Sequence, residues 1–524
     1  MAFLEELWSF DPSFGSAVGR HEYDEFLTIK DKKWKDSFLA FIKKHENRRV
    51  VEDEIDNSLI QNFLKESQWE LEIFKSYEWD PSEYNVAASF DSIVSNRDLS
   101  EEQKSKILKR KLTFVPAYYQ AAKENIHHPT KEHLELSIQQ TKGLIKFFDA
   151  EVLKRANNQP ARDAVLDYLA WEEGLLKNPE PVGGFRSFRI GEKLYNEKFA
   201  FNMVSTTTPK ELYESALRQK KETLKTITTI AKALWSKYFP DKKSPDRDID
   251  VVRKVIEKVS LQHTPAEKFV EEIKKQIPNL EKFVNHHKLI TMDPSKPLKV
   301  RETPEYQQDA TGMSIDSPGV FEPYRETYYN VTPPTKLSKE EQESFLREYN
   351  DYTLQILNIH EAVPGHYVQL IYNNQSPSVI KAIFGNGATI EGWAVYAERM
   401  MLEAGYGRDT PELSLMYWKW FLRVITNTLI DYGVHTQNLS KEEALRLMME
   451  DAFQEKQEAE GKWNRAKVYQ GQLATYFFGF SEIYRLREDL KAKNNNFNLR
   501  EFHEKFLSYG SAPISTIRSA MINN

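Results

Sequence analysis

The sequence predicts a mainly α-helical protein, and three observations carry this prediction. Glycine is scarce, with 20 in 524 residues. Long stretches repeat apolar residues at spacings of three and four, the periodicity of an amphipathic helix. Helix start signals recur, each an N-cap Ser or Thr followed three residues later by Glu or Gln; they begin at Ser100, Thr208, Thr264, Ser338 and Ser440. We therefore expect a dozen or more helices.

Composition and charge describe an ordinary globular protein and exclude some partners. Apolar residues make up 40% of the chain and charged residues 29%. A net charge of −6 and a pI near 6.1 provide no electrostatic footprint for nucleic acid or an anionic membrane. No apolar run approaches the roughly 20 residues that a spanning helix needs. The sequence therefore predicts neither a nucleic-acid partner nor a membrane-spanning segment, and it leaves the oligomeric state open.

The chain contains no cysteine, which limits its metal chemistry to His, Asp and Glu ligands. The N-terminal residues Met1–Trp8 lack the basic and long apolar regions of a signal peptide. The sequence as written therefore predicts a cytoplasmic protein. The alternative is an exported protein, periplasmic or lipid-anchored, from which a leader has been removed.

One long segment breaks the helical pattern. Residues 292–334 contain seven prolines and two glycines, which predicts irregular structure with a functional or linking role. At its end, Glu326–Thr332 is rich in β-forming residues and predicts a short strand. We place a boundary near residue 290, between an N-terminal helical lobe of residues 1–290 and a C-terminal lobe of residues 291–524 that carries the chemistry.

The clearest chemical signal is the segment His360-Glu361-Ala-Val-Pro364-Gly365-His366. In the His-Glu-x-x-His motif of zinc peptidases, two histidines four residues apart share one helix face. Here they are six residues apart, which on an ideal helix would turn His366 about 120° away from His360. Pro364 breaks the helix hydrogen bond to the His360 carbonyl, and Gly365 tolerates unusual dihedral angles. Either a two-residue bulge returns His366 to the ligand direction, or a kinked helix carries two unrelated histidines.

A carboxylate for a third ligand position follows 25 residues after His366. Glu391 lies on a fresh helix that begins after Gly385 and Gly387. Two histidines and one glutamate would leave a fourth position open for water, as a catalytic zinc site requires. Glu398 lies two turns further along the same face, so the residues alone allow either glutamate to bind the metal.

These motifs, His360–His366 and Glu391–Glu398, resemble the bacterial domain-of-unknown-function 885 family. That family is similar to the gluzincin zinc peptidases, the broad group that includes angiotensin-converting enzyme. The resemblance continues at Asp431–His435 and Gly471–Gly479, and its opening pattern lies at Asp11–Asp24, so it covers nearly the whole chain. It implies a large two-lobed helical metallopeptidase with a deep central cleft and a small β-sheet element near the active site. It also implies one zinc ion per chain, held by His360, His366 and Glu391.

The resemblance also implies roles for groups around the metal. Glu361 would be the general base. Tyr476 and His435 are candidates for stabilising an oxyanion, and core packing and buried hydrogen bonding are the respective alternatives. Arg465 and Arg485 are candidates for binding a substrate carboxylate, against the alternative of surface or structural arginines.

The predicted function is zinc-dependent hydrolysis of peptide bonds, in oligopeptides. The predicted strand, with Tyr328, Tyr329 and Asn330, would bind an extended peptide by strand addition. One alternative is a non-catalytic peptide-binding protein on a peptidase fold, against which the presence of Glu361 argues. The other is a metal-dependent hydrolase of a non-peptide amide or ester.

Overall fold

The computed structural model of the protein describes residues 1–303, 312–322 and 325–522. Helices account for 70% of the structure and strands for 3%, which confirms the predicted mainly α class. Within the described residues, no helix combines the length and apolar composition needed to cross a membrane.

The chain divides into two compact units. The first contains Met1–Phe188 and the described part of Pro318–Arg325. The second contains Arg189–Thr303 and the described parts of Thr311–Ser317 and Glu326–Asn524. The boundary predicted near residue 290 falls inside the second unit, and the two-lobed arrangement with a central cleft stays a prediction.

The first unit is built from eleven of the helices that the structure describes. They are α1 (Ala2–Phe10), α2 (Pro12–Ala17), α3 (Lys32–His45), α4 (Glu54–Trp69), α5 (Ser76–Trp79), α6 (Ala87–Val94), α7 (Glu101–Leu112), α8 (Val115–Asn125), α9 (Lys131–Phe147), α10 (Leu153–Arg155) and α11 (Gln159–Lys177). α11 packs against α8 and α9. Their buried faces form an aromatic-rich core in which the rings of Tyr119 and Tyr168 lie 4.6 Å apart.

The second unit carries the remaining described helices and all three described strands. The helices are α12 (Gly191–Met203), α13 (Pro209–Tyr238), α14 (Asp248–Ser260), α15 (Phe269–His286), α16 (Lys339–Glu348), α17 (Thr353–Glu361), α18 (His366–Asn374), α19 (Val379–Ile383), α20 (Gly387–Glu403), α21 (Pro411–Thr436), α22 (Lys441–Arg446), α23 (Lys456–Val468), α24 (Ala474–Lys493), α25 (Leu499–Leu507) and α26 (Ile514–Ile522). The central helix is α21, which is buried along nearly its whole length and packs against α13 and α24.

Most of the predicted helix start signals are confirmed. Ser100, Thr208, Ser338 and Ser440 each form a capping box, in which the N-cap side chain and the third helical residue satisfy each other's backbone N–H groups. The prediction at Thr264 is wrong. Its hydroxyl donates instead to Asp351, at 3.0 Å, and α15 begins only after a 3₁₀ turn.

The proline-rich segment contains more regular structure than we predicted. The predicted strand is confirmed as β3 (Thr327–Val331), and two further strands, β1 (Leu298–Glu302) and β2 (Met313–Asp316), pair with it. β1 runs parallel to β3 and β2 runs antiparallel, so that β3 is the middle strand. Sequence patterning missed β1 and β2 because each is short and only half-buried, and pairing with β3 stabilises both.

The middle position of β3 corrects the role predicted for it. Both edges of β3 are hydrogen-bonded, so a peptide cannot add to it as a further strand. The buried Tyr329 instead donates its hydroxyl to Asn358 on α17, at 3.1 Å. Asn330 accepts a hydrogen bond from Arg301 at 2.6 Å, and the same guanidinium lies 3.8 Å from the ring centre of Tyr328. Tyr329 thus supports the helix that carries His360, whereas Tyr328 and Asn330 contact Arg301 of β1.

α20 and α24 approach each other until their backbones touch. A Cβ atom on Gly392 would lie 2.4 Å from the Gly479 backbone, and one on Gly479 would lie 1.9 Å from the Ala388 carbonyl oxygen. Neither position has room for a side chain, and neither neighbour is a flexible side chain that can move aside. The crossing therefore requires glycine on both helices.

We expect Gly392→Ala to lower the free energy of unfolding by at least about 2 kcal/mol, because the added methyl group forces two helices apart in a packed core. Thermal and urea unfolding followed by circular dichroism would measure the change. Gly461→Ala is the matched control, since Gly461 lies in α23 with nothing near its Cβ position. That substitution should leave stability unchanged or raise it by up to about 1 kcal/mol. Equal stability of both variants would contradict the crossing.

Candidate metal centre

The His360 and His366 side chains meet because the helix between them breaks. α17 ends at Glu361, the chain turns through Ala362–Gly365 with a cis peptide bond before Pro364, and α18 begins at His366. The predicted two-residue bulge is therefore wrong, since two separate helices replace one irregular helix. A Cβ on Gly365 would lie 1.8 Å from the His360 carbonyl oxygen, so only glycine fits the turn. The two imidazole ring centres are 4.8 Å apart.

α20 is tied to this turn and presents the third ligand. The buried Trp393 donates its indole N–H to the Pro364 carbonyl at 2.9 Å. Two residues earlier, Glu391 Oε2 lies 3.6 Å from His360 Nε2 and 3.5 Å from His366 Nε2. One donor atom from each of these three residues lies within 4.8 Å of the others. The structure thus brings together the three residues predicted to bind the metal.

The spacing of these atoms fits a metal ion better than hydrogen bonds. Distances of 3.5 and 3.6 Å are long for hydrogen bonds, and Glu391 Oε2 is buried with no hydrogen-bond partner among the residues that the structure describes. Ligands about 2.0–2.1 Å from a tetrahedral zinc ion lie roughly 3.3 Å from one another. A buried acceptor without a donor is costly, and a cation at this point would satisfy it.

Glu398 lies on the other side of the His360 ring, and this resolves the choice between the two glutamates. Its Oε1 is 2.7 Å from His360 Nδ1 and accepts a hydrogen bond from the Trp420 indole at 3.0 Å. His360 therefore donates from Nδ1 and presents Nε2 toward Glu391, the tautomer that a metal ligand needs. Sequence reasoning did not identify Trp420 at all. For Glu398, the signal available in the sequence was its position two helical turns after Glu391.

The electrostatics of the site favour a cation. Burial opposes protonation of His360, but Glu391 and Glu398 outweigh it and raise the pKa of the ring to about 10. Burial alone would raise the pKa of Glu391, but the two histidines hold that pKa well below its usual range. With Glu361, three carboxylates surround two imidazoles. A divalent ion would balance this excess of negative charge and leave both rings neutral for coordination.

Glu361 has the environment of a general base. It is partly buried, and burial raises the pKa of its carboxyl group, while the nearby His366 and His360 oppose the shift. Carboxylates with a raised pKa accept and return protons more readily near neutral pH.

The other predicted site residues divide into two groups. The Tyr476 ring stacks on His360 with ring centres 6.3 Å apart, and its hydroxyl accepts a hydrogen bond from Arg465 at 2.9 Å. Burial raises the pKa of Tyr476 well above its ordinary value. In contrast, His435 hydrogen-bonds through Nε2 to the Ala466 carbonyl at 2.8 Å, and the side chain of Arg485 is 60% exposed and paired with Glu482. The structure thus brings Tyr476 next to His360 and Arg465 next to Tyr476, whereas His435 contacts the Ala466 carbonyl and Arg485 pairs with Glu482.

The motif around Asp431 positions the helix that carries Tyr476. The buried Asp431 carboxylate accepts backbone hydrogen bonds from Gly471 and Ala474, each at 3.0 Å, at the start of α24. Burial raises the pKa of Asp431 to about 7, although these backbone donors oppose the shift. Two segments 40 residues apart in the chain are thereby joined at the site.

The fold and the site together define a helical protein with a His–His–Glu group of metal-binding geometry, in which His360 is buried and the other two residues are partly buried. Residues 17–521 match the family described as "Bacterial protein of unknown function (DUF885)", and the chain belongs to this family.

Two solved structures are similar over almost the whole chain. A "putative lipoprotein of unknown function" from Shewanella oneidensis is 43% identical, with a TM-score of 0.86, and the match covers 99% of this chain and 98% of that one. A "putative lipoprotein" from Colwellia psychrerythraea shares the fold at 15% identity, with a TM-score of 0.76, over 99% of this chain and 96% of that one. No curated protein matches the chain at a significant level.

We expect Glu391→Gln to reduce zinc affinity by well over about 100-fold, because it replaces the charged ligand. Glu398→Gln should reduce it by only about 10- to 100-fold, the usual effect of a group that orients a ligand. Competition with a chromophoric chelator would measure both affinities, with Glu442→Gln as an exposed control. A larger loss for Glu398→Gln would mean that Glu398 is the ligand.

Proposed function

We propose that this protein is a zinc-dependent peptidase that hydrolyses peptide bonds in oligopeptides. One observation carries the proposal: Glu391 Oε2 lies 3.6 Å from His360 Nε2 and 3.5 Å from His366 Nε2, and Glu361 directly follows the first histidine. These distances support a metal-binding group, with a candidate proton acceptor next to it in the sequence.

The donor set favours zinc. Two imidazoles and one carboxylate are the protein ligands of many catalytic zinc sites and leave one position for water or substrate. When bound here, zinc would supply a Lewis acid that activates water and polarises the carbonyl group of the substrate. Glu398 and Trp420 hold the His360 ring in the orientation that this coordination needs.

The chain's own residues supply the proton chemistry. Glu361 takes a proton from the attacking water and later delivers it to the leaving amine. Tyr476 donates its O–H to the carbonyl oxygen as negative charge develops there. Because the Tyr476 oxygen accepts its hydrogen bond from Arg465, its own proton is directed away from that contact and toward a substrate.

We also propose that the protein acts outside the cytoplasm. A solved structure that is 43% identical to this chain is named a "putative lipoprotein", and the match covers almost the whole of both chains. This similarity supports the proposal. Fractionation of cells that produce the native protein tests this proposal. Recovery of the protein only from the cytoplasm would contradict it.

We expect Glu361→Gln to keep its zinc and its fold while losing at least about 10²- to 10⁴-fold in kcat, because only the proton acceptor is removed. Mass spectrometry of a digested peptide library would follow turnover, and metal analysis would follow zinc. Glu442→Gln, an exposed change of the same chemistry, should behave as the unaltered protein.

Three other results would each point elsewhere. Loss of zinc from Glu361→Gln would make Glu361 a ligand or a structural support. Zinc-loaded native protein that binds peptides without cleaving them would favour a peptide-binding protein. Cleavage of model esters or non-peptide amides, without cleavage of peptides, would favour a metal-dependent hydrolase of a non-peptide amide or ester.

A further inference from the structure

In a buried cluster of ion pairs that includes α23, basic side chains outnumber acidic ones. Three buried or nearly buried cations, Lys419, Arg423 and Lys462, share two carboxylates. Glu348 lies 2.8 Å from Lys419 and 3.7 Å from Arg423. Glu458 lies 2.7 Å from Arg423 and 3.3 Å from Lys462. The local carboxylates are therefore already engaged.

Arg465 adds a fourth cation, one helical turn after Lys462. It is partly exposed, and across the described ranges of the chain no carboxylate lies within ion-pair distance of its guanidinium. Burial is the largest cause that lowers the pKa of Lys462 to about 7; the charges of Arg423 and Arg465 add to this shift, and Glu458 opposes it. An arginine without an acidic partner beside a cationic cluster is available for an anion from outside the chain.

The guanidinium of Arg465 also has unused hydrogen-bonding capacity. Within the described part of the chain it makes one side-chain hydrogen bond, from Nη2 to the Tyr476 hydroxyl at 2.9 Å, which uses one of five N–H donors. The planar fork of the remaining donors matches a carboxylate group, which it can bind through two parallel hydrogen bonds.

Tyr476 connects this arginine to the metal ligands. Its ring centre lies 6.3 Å from that of His360 and 5.7 Å from Arg465 Cζ. Extended peptide residues span about 3.5 Å each, so a few residues bridge the distance between the metal ligands and the guanidinium. A peptide whose carbonyl group is at the metal site can therefore place a carboxylate a few residues away on Arg465.

We infer that Arg465 binds a carboxylate of the peptide substrate and so selects which bond is cleaved. The inference rests on the proposed peptidase function. The carboxylate has two possible sources, the free C-terminus or an acidic side chain. A C-terminal carboxylate would make the enzyme release short C-terminal fragments, whereas an acidic side chain would allow cleavage within a longer peptide.

The test measures binding in zinc-loaded Glu361→Gln protein, so that it does not depend on turnover. Calorimetry would compare a hexapeptide as the free acid with the same peptide as its C-terminal amide. Both peptides of a second pair would be C-terminal amides that differ only in having Asp or Asn at one internal position. This comparison would be repeated for each internal position. Each pair is measured with Arg465 intact, in Arg465→Gln, and in Lys467→Gln. Lys467 lies on the same helix, about 200° around its axis from Arg465, and losing its charge controls for general electrostatics.

We expect the free acid to bind at least about tenfold more tightly than the amide when Arg465 is intact, the effect of a charge-assisted hydrogen bond. The preference should vanish in Arg465→Gln, persist in Lys467→Gln, and be partly restored in Arg465→Lys, which keeps the charge without the fork. An Asp-over-Asn preference that depends on Arg465 would support the inference with the side chain as the source.

Two results would overturn the inference. One is a peptide affinity that is unchanged by removing either carboxylate, the C-terminal or the side-chain one, when Arg465 is intact. The other is an equal loss for acid and amide in Arg465→Gln, which would make Arg465 a residue that only positions Tyr476. Failure of the proposed function looks different, since the native protein would then cleave no peptide, whether or not peptides bind to it.

Discussion

The crossing of α20 and α24 at Gly392 and Gly479 is the constraint on which the site depends. Glu391 lies one residue before this crossing, and Glu398 lies less than two turns after it. On the facing helix, Tyr476 lies one turn before Gly479. Because the two backbones touch, the relative position of these side chains is set by helix geometry and not by flexible packing. A catalytic arrangement needs its groups held within fractions of an ångström, and direct backbone contact is a rigid way to hold them.

Charge is distributed unevenly across the site, and the unevenness suggests how a substrate would be oriented. On one side, Glu361, Glu391 and Glu398 surround two imidazoles and favour a cation. On the other side, the cluster around Arg423 leaves Arg465 without a carboxylate among the described residues. Tyr476 lies between the two sides. Under the proposed function, a peptide carboxylate on Arg465 and a carbonyl group at the proposed metal site would align the substrate in one direction. Buried charged side chains destabilise a folded protein unless they are paired. Their presence at this site therefore favours a functional role for them.

Several residues act differently from the roles that their sequence positions suggested. Tyr329 was predicted to contact a peptide, but it is buried and supports α17 through Asn358. His435 was a candidate either for oxyanion contact or for buried hydrogen bonding, and its ring is hydrogen-bonded to the Ala466 carbonyl. In both cases the residue type allowed either role. The direction of the side chain decides whether the residue supports the fold or faces a substrate. That direction depends on neighbours that are distant in the sequence.

The sequence by itself determined the helical class, most helix starts, the family and the kinds of side chain at the metal site. These follow from local rules, since caps, periodicity and donor chemistry are properties of short segments. Tertiary structure decided how His366 returns to His360, and it separated the two glutamates that helix periodicity left equivalent. Glu391 and Glu398 share one helix face, so no local rule separates them. The separation comes from the His360 ring, which has Glu398 at Nδ1 and Glu391 toward Nε2. An imidazole has two distinct nitrogens, and only its three-dimensional surroundings determine which one is free to bind a metal.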